Sequence, residues 1–185
     1  MVNRIFFVCL FVALYSAGSS LRCNWMDHKF RQYSENCLDL VDSMAHNSTN
    51  STEDAVEAEN VVAFPNDLYS LASRASAEDK IGFVVQTLDE VVELFEEDHS
   101  SASWEDKPLR DLLNIVTQQA EGLRSCIGGH SHKKNKKLHL YFKRLTRNVL
   151  KEMGHTAESW ELIRREIKAH LMRADQLLSP LLHAN

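Results

Sequence analysis

Glycine and proline are scarce in this chain of 185 residues, with 6 and 3 copies. This scarcity excludes collagen-like and linker-like compositions, and it argues against many short strands joined by turns. Basic residues are not in excess either, since 21 Lys and Arg stand against 26 Asp and Glu, for a net charge of −5. The chain therefore has no global charge signature of nucleic-acid binding. Its 44% hydrophobic content excludes a disordered chain and favours one domain that buries about 70% of its unfolded surface.

Catalytic and phosphate-binding motifs are also missing. The chain has no G-x-S-x-G, no H-E-x-x-H and no glycine-rich phosphate loop. Glu-x-x-His occurs twice, at Glu96–His99 and Glu152–His155, a spacing that places two metal ligands on one inward helix face in di-iron bundles. Both copies lie at predicted helix ends, so we interpret them as solvated termini, and we interpret His130-x-His132 as part of a polar loop. The sequence thus predicts no enzyme, no cofactor and no metal site.

One apolar segment stands at the start of the chain. Arg4 precedes an uninterrupted apolar run over 5–15, and small residues follow it. This order is typical of a secretory signal peptide, and the run is too short to span a bilayer. We predict that residues 1–22 are the signal peptide, cleaved between Gly18 and Arg22, and that the protein is secreted without inserting in a membrane. A buried N-terminal strand is the alternative.

The mature chain, residues 23–185, keeps three cysteines, at Cys23, Cys37 and Cys126. In an oxidising compartment, three cysteines suggest one disulfide and one remaining thiol. No C-x-x-C pair supports a structural zinc site. Cys37 lies on an apolar stripe of helical spacing and is predicted to be a buried thiol, which favours a bridge between Cys23 and Cys126.

Apolar residues recur every three or four positions along most of the mature chain, a spacing that predicts amphipathic helices. No alternating strand pattern separates them. We therefore predict an all-α bundle of five long helices, with a short additional helix over 66–75 in which Leu68 and Leu71 point the same way. The predicted long helices cover 25–44, 76–95 with an N-cap at Ser76, 108–127, 138–153, and a last helix that ends at Pro180.

A polar loop over 46–64 follows the first helix and is long enough to let the first two long helices run parallel. It contains two N-x-S/T sequons, at Asn47 and Asn50. In a secreted protein, each is a predicted glycan acceptor on an exposed loop. Chance occurrence in a stretch rich in Ser and Thr is the alternative, and the closeness of the two sequons favours the use of only one.

Charge is segregated along the chain. Residues 89–106 contain 8 acids and no Lys or Arg, whereas 133–151 contain 8 Lys and Arg and no acid. A basic run of this kind is a candidate site for heparan sulfate or nucleic acid, or else the solvated face of a helix. Tyr141 and Phe142 lie on the apolar stripe, where they cannot stack on bases. We therefore keep heparan sulfate as a candidate partner and do not expect nucleic acid.

Two neighbouring segments closely resemble the C-terminal signature of type I interferons. They are Leu140-Tyr141-Phe142-Lys143-Arg144-Leu145 and the run Ala157-Glu158-Ser159-Trp160-Glu161-Leu162-Ile163-Arg164-Arg165-Glu166-Ile167. Other positions resemble the fish group with two bridging cysteines, namely Cys23-Asn24-Trp25, Phe64-Pro65, Leu68-Tyr69 and Leu123-x-x-Cys126. The resemblance covers the mature chain from Cys23 to about Leu178.

The resemblance implies a helical-cytokine bundle of five long helices with a long first crossover loop. The family's N-terminal disulfide falls on Cys23 and Cys126, whereas Glu158 and Ser159 stand where a second bridge would need a cysteine. It also implies a secreted antiviral cytokine that binds two different single-pass receptor chains. Their Janus kinases would then phosphorylate STAT factors, which induce antiviral genes.

Receptor-contact residues carry over to few positions. Arg164 matches a family arginine on the last helix that contacts the high-affinity receptor chain, and Lys168 lies one turn further at a position where the mammalian residue differs. The alternative for Arg164 is a solvated or intrahelical salt-bridged side chain. Two rival functions remain: another secreted helical cytokine, related to interleukins or growth hormone, and an exported lipid carrier built from amphipathic helices.

Overall fold

The fold is a bundle of α-helices, seen in a computed structural model that describes residues 23–45, 62–127 and 134–182. These residues contain six α-helices and no strand, so the predicted all-α class is confirmed. The helices are α1 (Asn24–Ala45), α2 (Asn66–Ala72), α3 (Ala77–Leu94), α4 (Asp106–Arg124), α5 (Lys136–Arg144), which continues as a π-helical segment (Leu145–Lys151), and α6 (Ala157–Leu182).

Helix α1 runs antiparallel to α6. Midway along α1, Ser34 donates a hydrogen bond to Asp175 late in α6, with a distance of 2.9 Å. Near the end of α1, Asp42 instead accepts a hydrogen bond from Lys168, which lies earlier in α6. The bundle is closed by α4, which packs on both α1 and α3.

Helix α3 also runs antiparallel to α6. Phe95, at the end of α3, stacks on Trp160 near the start of α6, with ring centroids 5.7 Å apart. Tyr69 of α2 packs edge-on against Phe83 near the start of α3 and lies 2.7 Å from the Nδ1 atom of His170, further along α6. Because α1 and α3 oppose the same helix, they are parallel to each other, as the length of the first loop predicts.

Local sequence signals explain several helix ends. Ser76 accepts a hydrogen bond from the backbone N–H of Asp79, so it is the N-cap that the sequence predicts. Asn135 caps α5 in the same way through the N–H groups of Lys137 and Leu138. After the π-helical segment the backbone enters the left-handed region at Gly154 (φ 71°), where glycine has no steric penalty.

Three predicted details are wrong. Leu68 and Leu71 do not point the same way, because Leu71 is 64% exposed whereas Leu68 is buried beside Tyr69. The predicted helix over 138–153 begins at Lys136 and is π-helical in its second half. The last helix continues through Pro180 to Leu182, because a proline in the last turn removes only one hydrogen bond there.

A disulfide joins Cys23 at the start of α1 to Cys126 after α4, with 5.1 Å between the Cα atoms. This is the predicted pair. Cys37 is a buried free thiol, as predicted, and burial raises the pKa of Cys37 to about 12. Close to the bridge, the indole ring of Trp25 covers Gly122 so tightly that a Cβ added there would lie 2.0 Å from Trp25 Cε2.

Candidate receptor-binding surface

The two residues predicted to contact a receptor lie where α6 meets the end of α1. We call this region the α1–α6 seam and define it by Val41, Asp42, Glu161, Arg164 and Lys168. Arg164 is only 7% exposed. Its guanidinium donates to the backbone oxygen of Val41 at 3.1 Å and to both carboxylate oxygens of Glu161 at 2.6 and 2.8 Å. The seam therefore encloses Arg164 and satisfies its hydrogen bonds.

Glu161 is shared between two arginines, since Arg165 also donates to it at 3.1 Å. Burial acts to raise the pKa of Glu161, but the hydrogen bonds and positive charges of Arg164 and Arg165 outweigh it, and the pKa lies below its usual value. The carboxylate thus stays ionised, and it fixes the side chain of Arg164 against α1.

Lys168 is the more accessible of the two predicted contact residues. Its ammonium group lies 2.5 Å from an oxygen of Asp42, and the two side chains are 37% and 50% exposed. The intrahelical ion pair of Arg164 with Glu161 is the alternative that the sequence left open. The role of Arg164 and Lys168 in receptor binding remains a prediction.

A second charged surface lies on α5. Lys136, Lys137, Lys143 and Arg144 are exposed on this helix, and Leu140 among them is 55% exposed. We call these five residues the α5 basic face. Tyr141 and Phe142 on the opposite side are buried, as predicted, so no aromatic ring on this face can stack on a base.

Two other basic residues of the 133–151 stretch lie near acidic side chains. Lys151 pairs with Glu97 at 3.0 Å, and Arg147 approaches Glu152 at 4.0 Å. Lys151 is also the main cause that holds the pKa of Glu97 below its usual value. Among the described residues of this stretch, exposed positive charge therefore lies mainly on the α5 basic face and on Lys134 just before it.

The two Glu-x-x-His segments meet in space through His155, which contacts Glu97 rather than Glu96 or His99. His155 lies 3.4 Å from Glu97, and the indole N–H of Trp160 donates to the backbone oxygen of Asp98 at 3.2 Å. Glu96 and Glu152 are both exposed. These contacts join the loop after α3 to the turn before α6.

A different group of potential metal ligands was missed by the sequence analysis. Glu90 and Glu93 of α3 and His139 of α5 each offer one ligand atom within 4.8 Å of the others. Helical spacing places the two glutamates on one face of α3. No local pattern, however, connects them to a histidine that lies 49 residues after Glu90.

Several predicted features lie outside the described residues, namely the signal peptide over 1–22, the sequons at Asn47 and Asn50, and His130 and His132. Within residues 23–45, 62–127 and 134–182, no helix has the length and apolar character needed to cross a membrane.

Comparison with known proteins gives a consistent result. The family model of the interferon alpha/beta domain matches residues 26–181. Interferon a3 of Oncorhynchus mykiss is 36% identical over 91% of this chain and 93% of its own length. Interferon omega-1 of Bos taurus is 28% identical over 62% of this chain and 63% of its own length.

Among solved structures, zebrafish interferon 1 is similar with a TM-score of 0.71 and 28% identity, covering 86% of this chain and 99% of that one. The helical bundle thus matches the helical-cytokine fold of the interferons, as the sequence resemblance implies. From the family match over residues 26–181 and the similarity to the trout protein, the chain belongs to the interferon alpha/beta family.

Proposed function

We propose that this chain is a secreted antiviral cytokine that binds two different cell-surface receptor chains and activates Janus kinase and STAT signalling. Members of the interferon family are signalling cytokines rather than enzymes. The observation that carries the proposal is the family match over nearly the whole helical bundle. Family membership also argues against the two rival functions, an unrelated helical cytokine and a lipid carrier.

Secretion is part of this proposal, with residues 1–22 as the signal peptide and Asn47 or Asn50 as the glycan acceptor. Expression of the whole chain in animal cells tests both. We expect the medium to contain a protein that begins between residues 19 and 23 and that loses mass when N-glycans are removed enzymatically. Retention of the chain in the cells, or an intact Met1, would contradict the proposal.

The α1–α6 seam is the proposed surface for one receptor chain. Lys168 and Asp42 supply accessible charge there, while enclosed Arg164 holds Glu161 and the end of α1 in position. Arg164 would therefore act on the receptor as a positioning residue, and Lys168 as a direct contact.

A charge swap separates a receptor contact from a structural ion pair. Lys168→Asp removes both the proposed receptor contact and the ion pair with Asp42. The double variant Asp42→Lys, Lys168→Asp restores an ion pair but inverts the charges that the receptor would contact. We expect both variants to bind one receptor chain at least about tenfold more weakly and to leave the other unchanged. A swapped protein that binds both chains like the wild type would show that the pair is structural only.

Signalling itself is tested in cells that carry either receptor chain alone or both together. We expect STAT phosphorylation only with both chains, because each kinase must be brought to its partner. Phosphorylation with a single chain would contradict the two-receptor proposal. An absence of phosphorylation in every cell line, with a correctly folded protein, would contradict the cytokine proposal itself.

We also propose that the α5 basic face binds heparan sulfate. Four exposed cationic side chains lie on this helix, whereas Arg147 and Lys151 after it lie near acidic side chains. Sulfate groups complement such a face, and exposed charges of this kind act over about 8 Å at physiological ionic strength. Binding of sulfate groups to the α5 basic face should therefore weaken as the salt concentration rises.

Heparin chromatography tests this second proposal. The triple variant Lys136→Gln, Lys137→Gln, Lys143→Gln is compared with the control Lys29→Gln, Lys107→Gln, Arg110→Gln, which removes the same charge from exposed positions elsewhere. We expect only the first to elute at clearly lower salt, with signalling intact. Equal decreases in the eluting salt concentration of the two triple variants would indicate that heparin binding depends on net charge alone. A loss of signalling in the first variant would indicate that the α5 basic face binds a receptor.

A further inference from the structure

We propose that Glu90, Glu93 and His139 form a binding site for a divalent transition-metal ion, with Zn²⁺ as the best fit, which joins α3 to α5. The three ligand atoms lie within 4.8 Å of one another. The Nδ1 atom of His139 is 3.0 Å from both carboxylate oxygens of Glu90. Movements of about an ångström would bring all three ligand atoms within 2.0–2.2 Å of one zinc ion, the usual Zn–N and Zn–O distance.

The two helices hold these ligands in a fixed register. One turn before the cluster, the side-chain amide of Gln86 donates to the backbone oxygen of Asn135 at 3.1 Å and accepts from its N–H at 2.7 Å. Asn135 is also the N-cap of α5. Glu90 follows Gln86 by one helical turn, and His139 follows Asn135 by one turn, so the backbone itself places the carboxylate opposite the imidazole.

Charge gives an independent reason for a cation here. The side chain of Glu90 is only 6% exposed, and its hydrogen-bond partners are His139 and the neutral amide of Gln86. Among the described residues, no Lys or Arg forms an ion pair with Glu90 or Glu93. Buried charges in proteins are paired or coordinate metals, and the cation at Glu90 is either a protonated His139 or a bound metal ion.

Two other acids of the same region do have such partners. Asp89 accepts two hydrogen bonds from Arg124, at 2.7 and 2.8 Å, and Glu97 pairs with Lys151. Among the described residues, Asp89 and Glu97 thus have an Arg or Lys partner, whereas Glu90 has an imidazole.

The donor set selects the class of ion. One imidazole nitrogen with two carboxylates suits Zn²⁺ and related transition metals, whereas Mg²⁺ and Ca²⁺ favour sites made of oxygen alone. The metal ion would bind the lone pair of Nδ1 in the neutral imidazole, with the ring proton on Nε2. An ion held by ligands from α3 and α5 would stabilise the attachment of α5 to the bundle.

The test uses the secreted, chelator-treated protein and Zn²⁺ itself, with Mg²⁺ as the control ion. We expect Zn²⁺, but not Mg²⁺, to bind with one-to-one stoichiometry in calorimetry and to raise the Tm. Glu93→Gln should weaken Zn²⁺ binding by about tenfold or more, since removing even an outer partner of a ligand has that effect. Glu96→Gln, one turn further at another exposed position of the same region, should bind like the wild type.

Histidine variants distinguish this site from other imidazoles. His139→Gln should lose the binding, whereas His130→Gln combined with His132→Gln should keep it. Because Glu93 is exposed, its variant should fold even if His139→Gln does not. No Zn²⁺ binding by the wild type would overturn the proposal, as would binding that survives Glu93→Gln and disappears in the His130 and His132 variant.

Discussion

Helix α1 is held at its two ends by different chemistry. At its start, a covalent bond joins Cys23 to Cys126 and the ring of Trp25 packs on Gly122. At its end, Arg164 and Lys168 of α6 bind the last turns through hydrogen bonds and ion pairs. The first contact depends on the redox state and on close packing, and the second depends on charge. Each end should therefore respond to perturbations that leave the other unaffected.

Loss of the disulfide should have the largest effect. Cys126→Ser opens a loop with a sequence separation of 103 residues, for which the chain-entropy model gives about 4.7 kcal/mol of lost stability. Urea unfolding of the purified variant measures the change. Cys37→Ala is the control, because this thiol is buried but forms no disulfide, and it should lose only about 1 kcal/mol. Equal losses in the two variants would contradict the assigned pairing.

Removal of Arg164 should be the next largest change. Arg164→Met keeps the length of the side chain but leaves Glu161 and the oxygen of Val41 without their main donor. Breaking a buried ion pair from one side costs about 3 kcal/mol. Arg165→Met removes the other, more exposed partner of Glu161 and should cost less than about 1 kcal/mol. Urea unfolding of both variants compares them, and similar losses would mean that enclosure of Arg164 adds nothing.

Packing at the start of α1 can be tested without touching the disulfide. Gly122→Ala places a methyl group on the indole of Trp25, and overpacking of this kind costs about 2 kcal/mol. Combining it with Trp25→Leu should restore most of the loss, because the ring is the obstacle. Thermal melts of the two single variants and the double variant give the coupling between the positions. If the losses of stability from Gly122→Ala and Trp25→Leu were additive, the two positions would not be in tight contact.

Of the two ends of α1, only the one held by Glu161 and Arg164 should respond to acidification. Since the pKa of Glu161 is lower in the folded state, its contribution is fully present above the usual glutamate pKa of about 4.3. It is lost as the pH falls through the folded value. We therefore expect the stability difference between the wild type and Arg164→Met to shrink below about pH 4.

His170 provides the background for that measurement. Burial lowers the pKa of His170 to about 3, so the unfolded chain binds the proton first and stability falls as the pH drops below about 6.5. This loss is common to both proteins and cancels in the difference. A difference that stays constant from pH 7 to pH 3 would show that Glu161 is not coupled to Arg164.

The sequence predicts those parts of the fold that depend on local spacing. Apolar stripes locate the long helices, and the place of Cys37 on a stripe separates the buried thiol from the bonded pair. The enclosure of Arg164 was not predictable, because it depends on the backbone of Val41, 123 positions away. The same holds for His139 opposite Glu90, and for the π-helical segment, which packs against α6.

The position of the disulfide also divides the chain topologically. The covalent ring closed by Cys23 and Cys126 contains α1 to α4, and α5 and α6 follow it as an open branch. A single proteolytic cut within the ring leaves both pieces linked until a reductant is added. A single cut after Cys126 frees a fragment that non-covalent packing alone retains. Digestion patterns with and without reductant should thus separate damage to the ring from damage to the branch, which carries both the α5 basic face and the α6 side of the seam.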